Sequence, residues 1–162
     1  MYRENTALLM ERFPLLALRA PFFPVEEGEE DDAPSSLPAD VEVCYLYGLS
    51  LGAYRLAKQW LHLAPERKLI FLENREGRLG ALLQTPGARE LLADPQVDLH
   101  MLPKGALLDG ALDTLAQTYP VRTLEILSLP SRKSPYFHSL RLKLLRKTML
   151  AEAIRRDRLH GY

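Results

Sequence analysis

The feature of the sequence that most restricts its fold is a regular alternation of apolar runs with segments of helical periodicity. Runs typical of strands occupy residues 41–47, 68–73, 97–102 and 121–129. Apolar side chains at helical spacing occupy residues 52–63, 75–84, 86–92, 106–118 and 135–158. Strands that alternate with helices form parallel sheets with right-handed crossovers. We therefore expect an α/β fold, a small Rossmann-like three-layer sandwich around a mainly parallel sheet of about four strands, ordered 3-2-1-4.

The charges divide the chain into unequal parts. The 21 basic and 21 acidic side chains cancel, but residues 1–40 carry three basic against nine acidic side chains, and residues 132–162 carry nine against two. Pro14 predicts two short helices within an N-terminal helical arm, residues 1–23. The remaining predicted units are an acidic disordered linker, a Rossmann-like core and a basic C-terminal helix, at residues 24–40, 41–130 and 131–162.

The acidic run of the linker, residues 26–32, has six acids in seven positions. Such a run resists burial, and we expect residues 26–36 to be the most mobile internal segment. Two interpretations stay open for it. It is either a solvated loop, or it folds back onto the basic C-terminal helix, a contact that salt would weaken.

Composition excludes several classes of function. The neutral total charge argues against a nucleic-acid binder. A single cysteine, Cys44, forms no intrachain disulfide and no cysteine-based metal site, and the four histidines lack ligand spacing, so no metal is expected. No apolar stretch approaches about 20 residues, and the N-terminus does not resemble a signal peptide. These features favour a cytoplasmic protein without a membrane span.

The candidate binding site lies where the first strand passes into the first helix. Gly48 and Gly52 flank Ser50 there, and Glu73 ends the second strand. In Rossmann-like folds a glycine-rich turn approaches phosphate and an acid after the second strand accepts hydrogen bonds from ribose hydroxyls. The predicted cofactor-binding residues are Gly48, Ser50, Gly52, Tyr54, Glu73 and Asn74. Alternatively, the glycines only permit close packing and Glu73 pairs with a nearby arginine.

Ser50 stands where a middle glycine is usual. A side chain at the tip of this turn narrows the approach to a ligand and disfavours positive φ. We therefore expect binding to be weak and turnover by this chain alone to be absent. No catalytic residue is identified, because Ser50 has no evident histidine partner and Cys44 is expected to be a buried apolar residue.

Two further groups of residues invite interpretation. Asp98 and His100 share one face of the third strand, where they either pair or simply form a polar surface.

The C-terminal helix is basic, with an apolar stripe made by Leu140, Leu144, Leu145, Met149, Ala153 and Ile154. It either packs on the sheet with a solvated basic face, or binds a protein partner or a second copy. Contact with nucleic acid or anionic lipid is less favoured.

Three segments resemble the N-terminal part of motility-associated-factor (Maf-type) proteins, the 6-hydroxymethylpterin diphosphokinase MptE-like group. They are residues 47–54 (YGLSLGAY), 69–74 (LIFLEN) and 92–97 (LADPQV), and residues 5–14 and 130–140 are also similar. Bacterial members are glycosyltransferase-like proteins thought to modify flagellin with nonulosonic acids from a CMP-activated donor. The resemblance implies that this chain is their N-terminal Rossmann-like domain, whose catalytic part lies in a following domain.

Two other functions fit the same residues. Class I methyltransferases share the glycine turn and the acid after the second strand, so S-adenosylmethionine competes with a nucleotide as the expected ligand. Their sheets are usually larger, and residues 128–131 (SLPS) form no catalytic signature. The third function is a pure interaction module whose Rossmann crevice no longer binds a ligand.

Overall fold

The computed structural model describes residues 2–19, 33–120 and 123–159. Pro14 divides the first of these ranges into two helices, as predicted, and the remaining elements alternate as strands and helices. In chain order they are α1 (Tyr2–Arg12), α2 (Pro14–Arg19), β1 (Val43–Tyr47), α3 (Leu51–His62), β2 (Lys68–Glu73), α4 (Glu76–Leu83), α5 (Ala88–Ala93), β3 (Val97–Met101), α6 (Leu107–Thr118), β4 (Leu124–Ser128), a 3-10 turn (Pro130–Arg132) and α7 (Pro135–Leu159).

The four strands form one sheet in the order β3-β2-β1-β4, and every pair is parallel. Tyr45 of β1 lies opposite Ile70 of β2 and Ile126 of β4, and Ile70 lies opposite Asp98 of β3. The predicted α/β class is confirmed, and so is the predicted strand order.

The sheet separates two apolar cores because successive side chains of a strand point to opposite faces. On one face, Cys44, Leu46 and Phe71 pack with residues of α1 to α5. On the other, Tyr45 and Ile70 pack with residues of α6 and α7. The central strands β1 and β2 are therefore apolar on both faces, as their nearly continuous apolar sequences predict.

The N-terminal helices pack on the domain. Leu9 of α1 is fully buried in the first core, and the Asn5 side chain donates a hydrogen bond of 2.9 Å to the carbonyl of Leu83. Arg12 donates to the carbonyls of Leu92 and Val97 at 2.9 and 2.8 Å. These contacts hold α1 against α5 and the β3 edge of the sheet.

The predicted acidic linker is described only in part, because residues 24–32 lie outside the described residues, and most of the segment 26–36 that we expect to be mobile lies there too. Its C-terminal end, residues 33–40, is irregular but packed. Ala33 and Leu37 contact the first core, and the Trp60 indole donates a hydrogen bond of 2.7 Å to the carbonyl of Pro38. This end of the predicted linker therefore has fixed partners on α3, which its polar composition did not indicate.

No helix within the described ranges is long and apolar enough to cross a membrane.

Candidate functional site

The crevice where ligands bind in open parallel sheets lies at the carboxyl ends of β1 and β4, where the chain order reverses. β1 ends there in a turn at Gly48, whose φ is +113°. The Gly48 amide donates to the carbonyl of Leu72 at 2.9 Å, and the Leu129 amide donates to the carbonyl of Tyr47 at 3.0 Å. A Cβ on Gly48 would lie 2.5 Å from Leu129 Cδ1. The glycine thus permits close approach of the chain after β4.

Ser50 begins α3 as its N-cap. Its Oγ accepts a hydrogen bond of 3.1 Å from the amide of Ala53, one of the amides that a helix start leaves without a partner. Its φ is −146°, so the backbone is extended there and does not need the conformational freedom of glycine. The predicted conflict between Ser50 and a positive φ therefore does not arise. Gly52 lies in the first turn of α3 and is half-buried.

Glu73, at the end of β2, is buried and fully engaged. Its Oε1 accepts hydrogen bonds from the Leu49 amide at 3.1 Å and from Arg132 Nη2 at 2.8 Å. Its Oε2 accepts from the amides of Asn74 and Arg75 at 2.9 and 3.0 Å and from Arg132 Nη1 at 3.0 Å. Of the two interpretations of Glu73, the structure shows the pairing with an arginine.

Arg132 reaches Glu73 from the 3-10 turn that follows β4. Only 5% of the residue is exposed, and its guanidinium lies 5.4 Å from the centre of the Tyr47 ring. The two side chains occupy the switch-point crevice and join the chain after β4 to the end of β2. Sequence reasoning missed Arg132 because it was grouped with the basic C-terminal helix. Its position just after β4, next to β1, was the available signal.

Aromatic rings stand beside this ion pair. Tyr47 stacks on Phe137 with 6.0 Å between ring centres, and Tyr136 lies 5.7 Å from Tyr47. The Tyr136 hydroxyl is hydrogen-bonded to the side chain of Asn74; burial raises the pKa of Tyr136 and this hydrogen bond partly offsets the rise. Asn74 therefore connects the start of α7 to the turn after β2.

Tyr54 contributes to a different part of the fold. Its hydroxyl donates a hydrogen bond of 2.8 Å to Asp94, the C-cap of α5. Asp94 also accepts from the amide of Gln96 at 2.9 Å. Burial, followed by the contact with Asp94, raises the pKa of Tyr54 well above its ordinary value. Tyr54 is one of the six residues predicted to bind a cofactor, and its hydroxyl is directed to α5.

A second polar cluster lies on β3. Tyr119, just after α6, donates its hydroxyl proton to Asp98, and His100 Nε2 lies 2.9 Å from the same hydroxyl oxygen. The Tyr119 oxygen therefore accepts from His100 Nε2–H, since its own proton goes to Asp98. Lys68 and Arg12 lie 3.0 and 3.6 Å from the Asp98 carboxylate. Asp98 and His100 thus pair through a tyrosine that the sequence did not single out.

The free energy of unfolding should depend on pH through His100, because burial lowers the pKa of this histidine below the ordinary 6.5. A lowered folded-state pKa means that the folded protein favours the neutral ring. Its stabilising contribution is therefore complete above about pH 6.5 and is lost as the pH falls towards the folded pKa. Urea denaturation between about pH 7.5 and 5 should give a steeper acid-side loss of stability for the wild type than for His100→Gln.

Glutamine is the matched replacement, because its amide can still donate to Tyr119. His62, which lies 3.8 Å from Asp94, is the same in both proteins. Identical pH profiles for the wild type and His100→Gln would contradict the assignment.

Neither a metal site nor a reactive cysteine is found among the described residues. They contain no group of three or more His, Cys, Asp or Glu side chains that could hold a metal ion. Burial raises the pKa of the Cys44 thiol to about 12, so this residue stays a protonated, apolar side chain.

Comparisons of the chain with protein-family models, with curated proteins and with solved structures found no match. The resemblance to Maf-type proteins therefore stays a prediction.

Proposed function

We propose that this chain is a non-catalytic Rossmann-like module that works by binding another protein, and that its switch-point crevice takes no nucleotide and no S-adenosylmethionine. The observation that carries the proposal is the buried, bidentate pairing of Glu73 with Arg132. Glu73, the acid that would accept hydrogen bonds from a ribose, is already hydrogen-bonded to Arg132 within the domain.

A ribose would have to displace existing partners of Glu73. Both carboxylate oxygens already accept hydrogen bonds, two from Arg132 and three from backbone amides. Separating a buried ion pair costs about 3–5 kcal/mol, because it leaves an uncompensated charge. A ligand that must supply this energy loses roughly two to four orders of magnitude in affinity.

The same Glu73–Arg132 ion pair supports an interaction role, because it makes the domain rigid. Glu73 links β2, the N-terminal end of α3 through Leu49, and the segment that leads into α7 through Arg132. Part of α7 is buried against the sheet, but its outward side exposes large apolar side chains. Leu150 and Ile154 are 62% and 44% exposed. A rigid domain that presents such a helix is suited to binding a protein partner.

The proposal agrees with the role that the Maf-type resemblance implies for an N-terminal domain, in which the chemistry belongs to another part of a longer protein. We propose the bacterial cytoplasm as its location, since its cysteine is a free thiol. The competing function, an S-adenosylmethionine-dependent enzyme, requires the crevice to open and Glu73 to change partners.

Ligand titration tests the proposal directly. Calorimetry and ligand-observed NMR of the full chain with S-adenosylmethionine, CMP and CTP should show no saturable binding up to about 1 mM. A methyltransferase of known affinity is the positive control for the assay. Saturable binding to the wild type that is lost in Glu73→Gln would overturn the proposal, because glutamine keeps the shape but removes the charge.

A further inference from the structure

We propose that a groove between α6 and α7 binds an acidic, amphipathic segment of a partner protein. The inference rests on the proposed function and adds to it a surface and a partner chemistry. The groove has a volume of about 520 Å³. The lining residues that matter here are Asp113 and Ala116 of α6 and Lys147, Leu150, Ile154 and Arg158 of α7.

The floor of the groove is apolar and open. Leu150 and Ile154, one helical turn apart, are 62% and 44% exposed, although both are large apolar side chains. Ala116 and Ala151 are small, so the two helices leave room between them for side chains of another segment. An apolar floor of this kind is what the apolar face of an amphipathic helix packs against in a helix-in-groove contact.

The rim of the groove is positive. α7 carries seven basic and two acidic residues. Lys147 is neutralised by Asp109 and Asp113 at 3.2 and 2.7 Å. Arg155, which also lines the groove, is paired with Glu152 at 3.0 Å, whereas Arg158 makes no ion pair or hydrogen bond with any residue that the structure describes. Positive charge without a counter-charge beside an apolar floor calls for a partner with both carboxylates and apolar anchors.

Charge argues against two other occupants, a second copy and a membrane. A second copy that docked through its own α7 would place two strongly basic helices together, which costs energy. A flat anionic membrane would also meet α6, where Asp109 and Asp113 are 68% and 51% exposed and would repel it. A narrow acidic segment can lie along the α7 side of the groove. There it meets neither a second basic helix nor the carboxylates of Asp109 and Asp113.

The test is an unbiased selection. A phage-displayed library of helical peptides is selected against the immobilised full chain, and the enriched peptides are synthesised and measured by fluorescence anisotropy. We expect them to carry Asp or Glu together with apolar residues three or four positions apart. Their affinity should fall at least about tenfold for Ile154→Glu and several-fold for Arg158→Glu, with a weaker salt dependence for the latter.

Leu142→Glu is the matched control, because Leu142 is exposed on α7 but does not line the groove. All three changes are at exposed positions, and circular dichroism verifies that each variant folds. Affinity for the peptides should be unchanged in Leu142→Glu.

Four results would overturn the inference: no enrichment, enrichment of neutral or basic peptides, equal affinity for Ile154→Glu, or equal loss in Leu142→Glu. Cosedimentation with phosphatidylserine vesicles that Ile154→Glu removes would assign the groove to a membrane instead. A concentration-dependent dimer that Ile154→Glu removes would assign it to a second copy. None of these results bears on the nucleotide titration, so a failure here is distinguishable from a failure of the proposed function.

Discussion

Arg132→Met is expected to lower the free energy of unfolding by about 3–5 kcal/mol. The change leaves the carboxylate of Glu73, a residue 2% exposed, in the interior with three backbone amides but without its counter-charge. For a domain of this size each kcal/mol shifts Tm by roughly 2–4 °C, so Tm should fall by about 6–20 °C. Urea denaturation and differential scanning calorimetry measure the two quantities independently.

Two variants identify the cause of that loss. Lys58→Met removes the cation of the Lys58–Glu90 pair, whose side chains are 39% and 55% exposed, and should cost less than about 1 kcal/mol. Combining Glu73→Gln with Arg132→Met should recover part of the stability lost in Arg132→Met, because the glutamine oxygen still accepts from the amides and no charge stays buried. An Arg132→Met cost no greater than that of Lys58→Met would contradict the structural role of the pair.

The fold could be predicted because its signals are local and periodic. The alternation of apolar runs and helical segments gave the class and the parallel sheet, and the strand over residues 68–73 has the predicted bounds. The prediction was less accurate at β4. Residues 121–129 read as one strand, but β4 spans only Leu124–Ser128, and residues 121–122 lie outside the described part.

The partner of Glu73 could not be predicted in the same way, because it lies 59 residues further along the chain. An acid at the end of the second strand looks the same whether it meets a ribose or a guanidinium. The Tyr119 link between Asp98 and His100 has the same origin. Strand alternation places the two side chains on one face, but the bridging tyrosine comes from the end of the next helix.

Ser50 is a different case, because its role depends on local chemistry. A serine directly before a helical period is a common N-cap, and its hydroxyl satisfies a free amide of the first turn. A glycine-rich phosphate-binding turn would have a glycine at the position of Ser50. The capping geometry explains the serine without any ligand, since its Oγ bonds to Ala53.

Gly48→Ala is expected to destabilise the fold by about 2–6 kcal/mol, for two separable reasons. An alanine at φ +113° stores backbone strain of about 1–3 kcal/mol. Its Cβ would also lie 2.5 Å from Leu129 Cδ1 and 2.8 Å from Leu129 Cγ, and Leu129 is fully buried. Overpacking of this kind costs about 1–3 kcal/mol, because the buried leucine has no free space to move into.

Two other glycines separate strain from overpacking. Gly105 has φ +65° but open space around its Cβ position, so Gly105→Ala should cost only the strain, about 1–2 kcal/mol. Gly110 lies within α6 with open space and no positive φ, so Gly110→Ala should stabilise by about 0.5–1 kcal/mol. Equal losses for Gly48→Ala and Gly105→Ala would mean that Leu129 yields, and the crevice would then be looser than its packing indicates.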